Sequence, residues 1–376
     1  MKVALVYDRV NKFGGAERVL LALHKIWPEA PLYTSVYHSR SAPWASVFRV
    51  IPSFLQRFPL AKTNHEIYPL LMPLAFESFN FDEYDVVISV TSEAAKGIIT
   101  KPKTLHLCYC LTPTRYLWSG YEEYFNSPLG LIAEPWLKDL KKWDLIASER
   151  PDEILAISET VSDRIEKYYQ RKSEVIYPSV NTRKFTIPAC RQAGFNLQFS
   201  NIKEKYFLVV SRLVKYKKVD LAIEAFNALG WKLKIVGIGR GMSRLKKMAK
   251  KNIEFLGQLT DKELLSYYQN CQAVIFCQEE DFGIVPLEAQ ACGKPVIAFE
   301  KGGAKETVIE GKTGLFFEKQ TRSSLVEALK RFKPGNFKSK DCRKQVEKFS
   351  QEKFIKKFKK KVEEKWQMFL KNTYTL

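Results

Sequence analysis

Short apolar runs bounded by polar and turn-forming residues recur along the chain. Lys2–Tyr7, Tyr84–Val90, Leu105–Cys110, Ile154–Ser158 and Glu174–Tyr177 read as buried strands of a first half. Tyr206–Ser211, Leu233–Val236, Ala273–Cys277 and Val296–Phe299 read as strands of a second. Helical periodicity fills the gaps between them. Ala16 to Trp27 forms an amphipathic helix ended by Pro28, Glu159 to Tyr169 another, and Leu221, Ala222 and Ala225 lie on the stripe of a third. Pro286 suits the first position of a helix, and Gly293 followed by Pro295 stops it. Strands that alternate with helices predict parallel sheets, because a parallel pair needs a crossover between its strands. Residues 181–204 lack periodicity and read as an interdomain linker. From Phe349 onward a basic amphipathic helix carries Phe354, Phe358, Val362, Trp366 and Phe369 near helical spacing.

At 376 residues the chain is long enough for two domains, and 45% hydrophobic with 27% charged residues is a globular balance. No apolar run approaches the roughly 20 residues of a membrane span. The opening MKVALVYD runs straight into a strand without a cleavable signal pattern, which predicts a cytoplasmic protein. The seven cysteines are scattered without CxxC spacing, which argues for reduced thiols and against a zinc site. The net charge of +20 favours anionic partners. No nucleic-acid module accompanies it, so a membrane surface with a lipid-phosphate acceptor is the preferred reading, with solubility charge as the alternative. Phe54, Leu55 and Phe58 beside Arg57 and Lys62 suit a membrane interface or a buried helix face. The lysines at 356, 357, 359, 360 and 361 read as a solvated face or as a second lipid contact.

Candidate chemistry collects where strands give way to helices, the ligand-binding edge of parallel sheets. After Ala273–Cys277 come Glu280, then Gly283, then a helix start whose Ile284 and Val285 amides attract an anion such as phosphate. Glu288 stands about one turn further on, placed to accept from a ribose. A capping role is disfavoured, because position 285 is Val rather than a capping residue. Arg212 ends the strand Tyr206–Ser211, and Lys217 follows five residues later, either as a solvated lysine or as a second cation at that edge. Gly237-Ile238-Gly239-Arg240-Gly241 is not a dinucleotide fingerprint, since position 242 is Met. Gly14-Gly15 makes a turn that is either structural or open to a phosphate. Arg115, Tyr116, Trp118, Tyr121 and Tyr124 offer aromatic faces and a guanidinium, either to a sugar or to packing under a loop.

Glu280 and Glu288, separated by seven residues inside EDFGIVPLEAQACGKPVIA and followed by GGAKE, resemble the carboxylate motif of the retaining family 4 glycosyltransferases, the glycosyl transferases group 1. The resemblance covers nearly the whole chain and is similar in particular to the bacterial mannosyltransferases of O-antigen and exopolysaccharide assembly. It implies an α/β GT-B fold, two Rossmann-like domains with parallel sheets facing across a cleft. Residues 1–182 would then bind the acceptor, 183–204 link the halves, 205–348 bind the nucleotide sugar, and 349–376 return as a helix to the first domain. It further implies that Arg212 and Lys217 clamp the donor diphosphate while Glu280 orients the sugar. Gly14, Gly15, Gly237, Leu256, Gly283, Ile284, Val285 and Glu288 would contact the donor, with Arg115, Tyr116 and Trp118 on the acceptor side.

The activity implied is retaining transfer, in cell-surface polysaccharide or lipopolysaccharide synthesis, from GDP-mannose or a UDP- or GDP-linked 6-deoxy sugar to a glycan or lipid-linked acceptor. It takes place in the cytoplasm, peripherally on the inner face of the membrane. No cofactor or metal is expected: there is no DxD, and Asp82 and Asp85 are three apart. One departure stands out. Relatives carry a His where this chain has Leu111 before Thr112-Pro113, and Leu has no donor for a sugar 6-hydroxyl. A nucleotide-sugar 2-epimerase and a catalytically impaired nucleotide-sugar-binding protein are the rival readings.

Overall fold

The computed structural model describes residues 1–121, 128–180 and 205–374. It divides into two compact units, Met1–Ser179 with Glu352–Leu376, and Val180–Gln351. The linker expected over 183–204 and Tyr124 lie outside the described residues.

The first unit is built on β1 (Val3–Tyr7), β2 (Leu32–Thr34), β3 (Val50–Pro52), β4 (Val86–Thr91), β5 (Leu105–Cys110), β6 (Glu153–Ala156) and β7 (Glu174–Val175), paired in the order β3-β2-β1-β4-β5-β6-β7. Every pairing is parallel. β1, β4 and β5 are buried along their whole length, which is why they read as unbroken apolar runs rather than alternating ones. β2 and β3 are three residues each, too short for a pattern to register. The helix Gly15–His24 follows β1 and ends three residues before the expected stop at Trp27.

The final helix runs Gln351–Tyr374, and Glu347–Phe349 before it is a separate 3-10 turn. Phe354, Phe358 and Val362 are buried, and Phe358 meets Tyr109 and Trp27 at 5.3 and 6.3 Å between ring centroids. Trp366 and Phe369, expected on the same stripe, instead stack on each other at 5.8 Å and stay half-exposed. Lys357 donates to the carbonyl of Val175 at 2.8 Å, Lys361 pairs with Glu174 at 2.9 Å, and Lys365 pairs with Glu153. Those lysines therefore hold the helix on the edge of its own sheet.

The second unit has β8 (Phe207–Val210), β9 (Leu233–Val236), β10 (Ile253–Gly257), β11 (Val274–Phe276), β12 (Val296–Phe299) and β13 (Gly314–Phe317), in the order β10-β9-β8-β11-β12-β13, all parallel. Its core packs Val219–Leu229 and Arg322–Arg331 on the sheet, with Phe226, Leu233, Ile235 and Leu325 fully buried. In both units the strand order reverses once, at β1/β4 and at β8/β11. Such a reversal opens a crevice at the carboxyl ends of the two strands. No disulfide links the six described cysteines. No helix among the described residues is long and apolar enough to cross a membrane.

Candidate active site

The loops leaving β8 and β11 flank the reversal point of the second sheet, and they carry the residues the sequence singled out. Lys217 ends a 3-10 turn, Lys215–Lys217, and its ammonium pairs with the Glu280 carboxylate. The side chains are 11% and 22% exposed, a half-buried pair that still meets solvent. Gln278, buried beneath the loop, donates to the same Glu280 oxygen at 3.1 Å. Arg212 donates to the hydroxyl of Tyr216, whose ring centroid lies 5.8 Å from the guanidinium carbon and 5.0 Å from the Lys217 nitrogen. Sequence reasoning passed over Tyr216. It stands four residues after Arg212 and one before Lys217, and it joins the two cations through one ring.

Glycines fix the backbone beneath these side chains. Gly237 has φ +136°, a region closed to other residues, and a Cβ on it would lie 1.9 Å from the Ser211 carbonyl oxygen. Ser211 N–H donates to Val236 at 3.0 Å, Leu213 N–H to Ile238 at 2.9 Å and Gly241 N–H to Leu213 at 2.8 Å. The glycine run after β9 is thus zipped to the segment that presents Arg212. Gly302 and Gly303 do the same for the other loop: added Cβ atoms would stand 2.4 Å from the Glu280 carbonyl oxygen and 2.3 Å from Phe282, and Gly303 N–H donates to Glu280 at 2.8 Å.

The helix after that loop runs Ile284–Ala291, with Gly283 as its N-cap and no side chain capping it. Pro286 is its third residue rather than its first, so Ile284 and Val285 supply N–H groups at the positive end and Pro286 supplies none. Glu288 is buried, and its Oε2 accepts from the Tyr268 hydroxyl at 2.9 Å. Burial, then the neighbouring Glu288, holds the Tyr268 phenol well above its ordinary pKa. Tyr268 comes from the helix Asp261–Asn270, a contact no local spacing signals. Leu256 is the extra residue of a bulge in β10, where the register with β9 skips from Phe255 to Gly257; it is half-buried at the edge of the sheet.

In the first unit, Gly14 precedes the helix Gly15–His24 and carries no side-chain cap. Glu17 of the first turn is buried and accepts from Tyr7 at 2.7 Å, and its Oε2 lies 3.2 Å from where a Gly14 Cβ would stand. The positive end of this helix is therefore already met by a carboxylate of its own. Asp8, at the end of β1, accepts from Thr91 and Ala95 and from the Ser92 amide, and burial followed by Glu93 raises its pKa. Trp118 donates to Asp144 at 2.8 Å, stacks on Tyr168 at 5.2 Å and lies under Lys141 at 4.4 Å. This is the packing role that the sequence left open for it. Arg115, Tyr116 and Leu111 are half-buried on the same stretch. Asp144 also binds Lys96 at 2.6 Å, Thr114 and Tyr169, which pins the loop to the helix Pro128–Glu149. A groove of about 1020 Å³ lined by Lys2, Trp27, Arg49 and Tyr84 opens at the amino ends of β1 and β4, the edge opposite to where parallel sheets bind ligands.

Residues 195–349 match the family model for glycosyl transferases group 1. An uncharacterized glycosyltransferase of Methanocaldococcus jannaschii is 29% identical over 188 residues, 49% of this chain and 50% of that protein. The alpha-1,3/1,6-mannosyltransferase of Dictyostelium discoideum is 27% identical over 290 residues, 65% of this chain and 66% of that protein. The chain thus spans about half to two-thirds of the length of these relatives. Among solved structures, Anabaena HepE in complex with UDP-glucose superposes with a TM-score of 0.72 at 18% identity, over 97% of this chain and 100% of that one. Over residues 195–349 the chain is thus similar to the glycosyl transferases group 1, and its two parallel-sheet Rossmann-like units have the α/β architecture of the GT-B fold.

Proposed function

We propose that the protein transfers a sugar from a nucleotide-diphosphate sugar to a glycan or lipid-linked acceptor, with retention at the anomeric carbon and without a metal. The carrying observation is the grouping of Lys217, Glu280, Arg212 and an uncapped helix start on the two loops beside the β8/β11 reversal. A departing nucleoside diphosphate gathers negative charge, and two fixed cations with backbone dipoles neutralise it as it forms. Retention follows from attack on the departing face, with a phosphate oxygen taking the acceptor proton. Lys217 is paired with Glu280 before donor arrives, so the diphosphate competes for that cation. Glu280, released from it, is then free to accept from sugar hydroxyls.

The relatives include a mannosyltransferase and a protein bound to UDP-glucose, which supports a nucleotide-linked hexose as the donor class. Leu111 refines it toward a donor without a 6-hydroxyl, because an unpaired hydroxyl against Leu costs about 1–3 kcal/mol. The chain's charge of +20 and a lipid-linked acceptor together favour work at the inner, anionic face of a membrane. A thermal-shift panel of GDP-mannose, GDP- and UDP-linked 6-deoxy sugars and UDP-hexoses tests the reading, since a specific ligand stabilises by mass action. One nucleotide sugar should raise the Tm and then be consumed when acceptor and EDTA are added together. No shift with any donor overturns the proposal. Interconversion of a free UDP-sugar without acceptor gives the epimerase instead.

A further inference from the structure

The segment after β3 carries six of the exposed large apolar side chains of the described residues. Leu60 is 69% exposed, Ile67 and Leu74 54% each, Leu70 46%, Phe54 40% and Phe58 38%. Isolated exposed apolar residues are ordinary, but six within 21 residues are not. The backbone explains how they come to face outward together. The stretch is a chain of short turns, Phe54–Arg57, Ala61–Asn64, His65–Ile67 and Met72–Glu77, each burying its opposite side through Leu55, Ala61, His65, Met72 and Phe76. Ile67 closes one turn, Leu70 lies in the connection after it and Leu74 lies in the helix that follows, all exposed. Phe54, Phe58 and Tyr68 are joined ring to ring at 5.9 and 5.5 Å.

The charge at this face is basic. Arg57 and Lys62 are exposed within it, against Glu66 alone, and the Asn11 side chain donates to the Lys62 carbonyl at 3.2 Å, which brings the exposed Lys12 beside them. Asn11 belongs to the loop leaving β1, and the segment itself leaves β3. The patch therefore borders the carboxyl edge of the first sheet, where that sheet would hold a ligand.

We propose that residues 54–74 are a membrane-docking face, with the six apolar side chains entering the interfacial region of an anionic bilayer and Arg57, Lys62 and Lys12 meeting lipid phosphates. This rests on the lipid-linked acceptor reading and adds to it where the enzyme sits on the lipid. The face holds the acceptor edge of the first sheet at the level of the headgroups, so a lipid-anchored sugar reaches it without leaving the bilayer.

Vesicle co-sedimentation of the full chain tests this, with phosphatidylcholine vesicles and with vesicles containing phosphatidylglycerol. Wild type should bind the anionic vesicles. Arg57→Gln with Lys62→Gln should weaken that binding roughly 25-fold, since each basic residue near an anionic surface is worth about fivefold. Leu60→Gln, Ile67→Gln and Leu74→Gln together should lower binding at least about tenfold on both vesicle types, because the apolar term does not depend on lipid charge. Circular dichroism and the donor-dependent thermal shift should be unchanged in these variants. That separates a failure of docking from a failure of the transferase reading. The proposal is overturned if wild type does not sediment with anionic vesicles or the apolar variant binds like wild type. It is also overturned if binding is lost only with Lys356→Gln, Lys359→Gln and Lys360→Gln on the final helix. A wild-type dimer in light scattering that the apolar variant dissolves would assign the face to a second protein copy, and would overturn it too.

Discussion

Replacing Gly237 by Ala tests whether the glycines after β9 serve the backbone that holds Arg212. The new Cβ would sit 1.9 Å from the Ser211 carbonyl oxygen, whereas ordinary contact begins at 3.4 Å, so one backbone must move by about 1.5 Å. The neighbouring backbone is tied by three hydrogen bonds, Ser211 to Val236, Leu213 to Ile238 and Gly241 to Leu213. Weakening these costs up to about 1 kcal/mol each, and the φ of +136° adds about 1–3 kcal/mol for any residue with a side chain. The expected loss is therefore about 3–5 kcal/mol. Gly230→Ala is the matched control. Gly230 also has a left-handed φ, +68°, but nothing lies within 4 Å of its Cβ position, so the cost is about 1–2 kcal/mol of backbone strain. Native-state hydrogen exchange reads the difference locally. The Ser211 and Leu213 amides should exchange roughly 10²- to 5 × 10³-fold faster in Gly237→Ala and no more than about 30-fold faster in Gly230→Ala. Donor KM or kcat should worsen only in the first. Equal protection factors in the two variants would refute the close-packing argument.

Arg212→Ala and Lys217→Ala should each lower kcat by roughly 10²- to 10³-fold, while Glu288→Gln mainly raises the donor KM; steady-state kinetics with the identified donor separates them, and normal turnover in Arg212→Ala removes the diphosphate clamp. Tyr216→Phe keeps the ring between the two cations but loses the hydroxyl that Arg212 donates to, so kcat should fall about five- to tenfold with fold and Tm intact. Lys96→Met leaves Asp144 buried without its cation and should destabilise the protein by about 3–5 kcal/mol in urea denaturation, with Asp144→Asn recovering part of the loss; a change under about 1 kcal/mol would contradict the network. His106 is buried and, through burial and then Arg171 and Arg150, its pKa is pushed down to about 3, so the unfolded chain takes up a proton near the ordinary histidine value that the folded chain refuses until far lower pH. Stability therefore falls as pH drops through that window, by up to about 1.4 kcal/mol per pH unit, and His106→Gln should flatten the slope between about pH 6 and pH 4.5.

The second unit was more legible than the first, for a physical reason. Its candidate residues sit on loops of the strand–loop–helix unit, so the sequence could put Arg212, Lys217, Glu280 and Glu288 at strand-to-helix junctions, while spacing alone left Lys217 and Glu280 open to being solvated charges and only the family resemblance grouped them. What escaped was whatever depends on elements far apart in the chain. Tyr268 reaches Glu288 from another helix. Short or irregular strands escaped as well: β2, β3, the glycine-led β13, and β10 with its bulge at Leu256. The aromatic stretch 115–121 was undecidable locally, because whether Trp118 faces a sugar or a helix depends on Asp144, 26 residues on.

The reversal points of the two sheets hold their charges differently, and this bears on which half suits an anion. At β8/β11 Lys217 pairs with Glu280, the middle of three acidic residues on that loop, and Arg212 stands beside them near a helix start without a capping side chain. At β1/β4 the ends of the strands bring Asp8, Glu17 and Glu93 together, and Arg9 is already paired with Glu93. A diphosphate entering the first edge would add charge beside three acidic groups and would have to displace Glu93 from Arg9; entering the second, it replaces Glu280 on Lys217 and gains the amides of Ile284 and Val285. At an effective dielectric of about 20, one like-charge contact at 4 Å costs about 4 kcal/mol, which offsets most of the roughly 3–6 kcal/mol that two glycine amides return by hydrogen bonding to an anion. A neutral, hydroxyl-bearing group at Gly14 and Gly15 meets no such repulsion, since the neighbouring carboxylates accept from its hydroxyls. On the proposed transfer, with the diphosphate on the second unit, the first unit would be the one left to the acceptor.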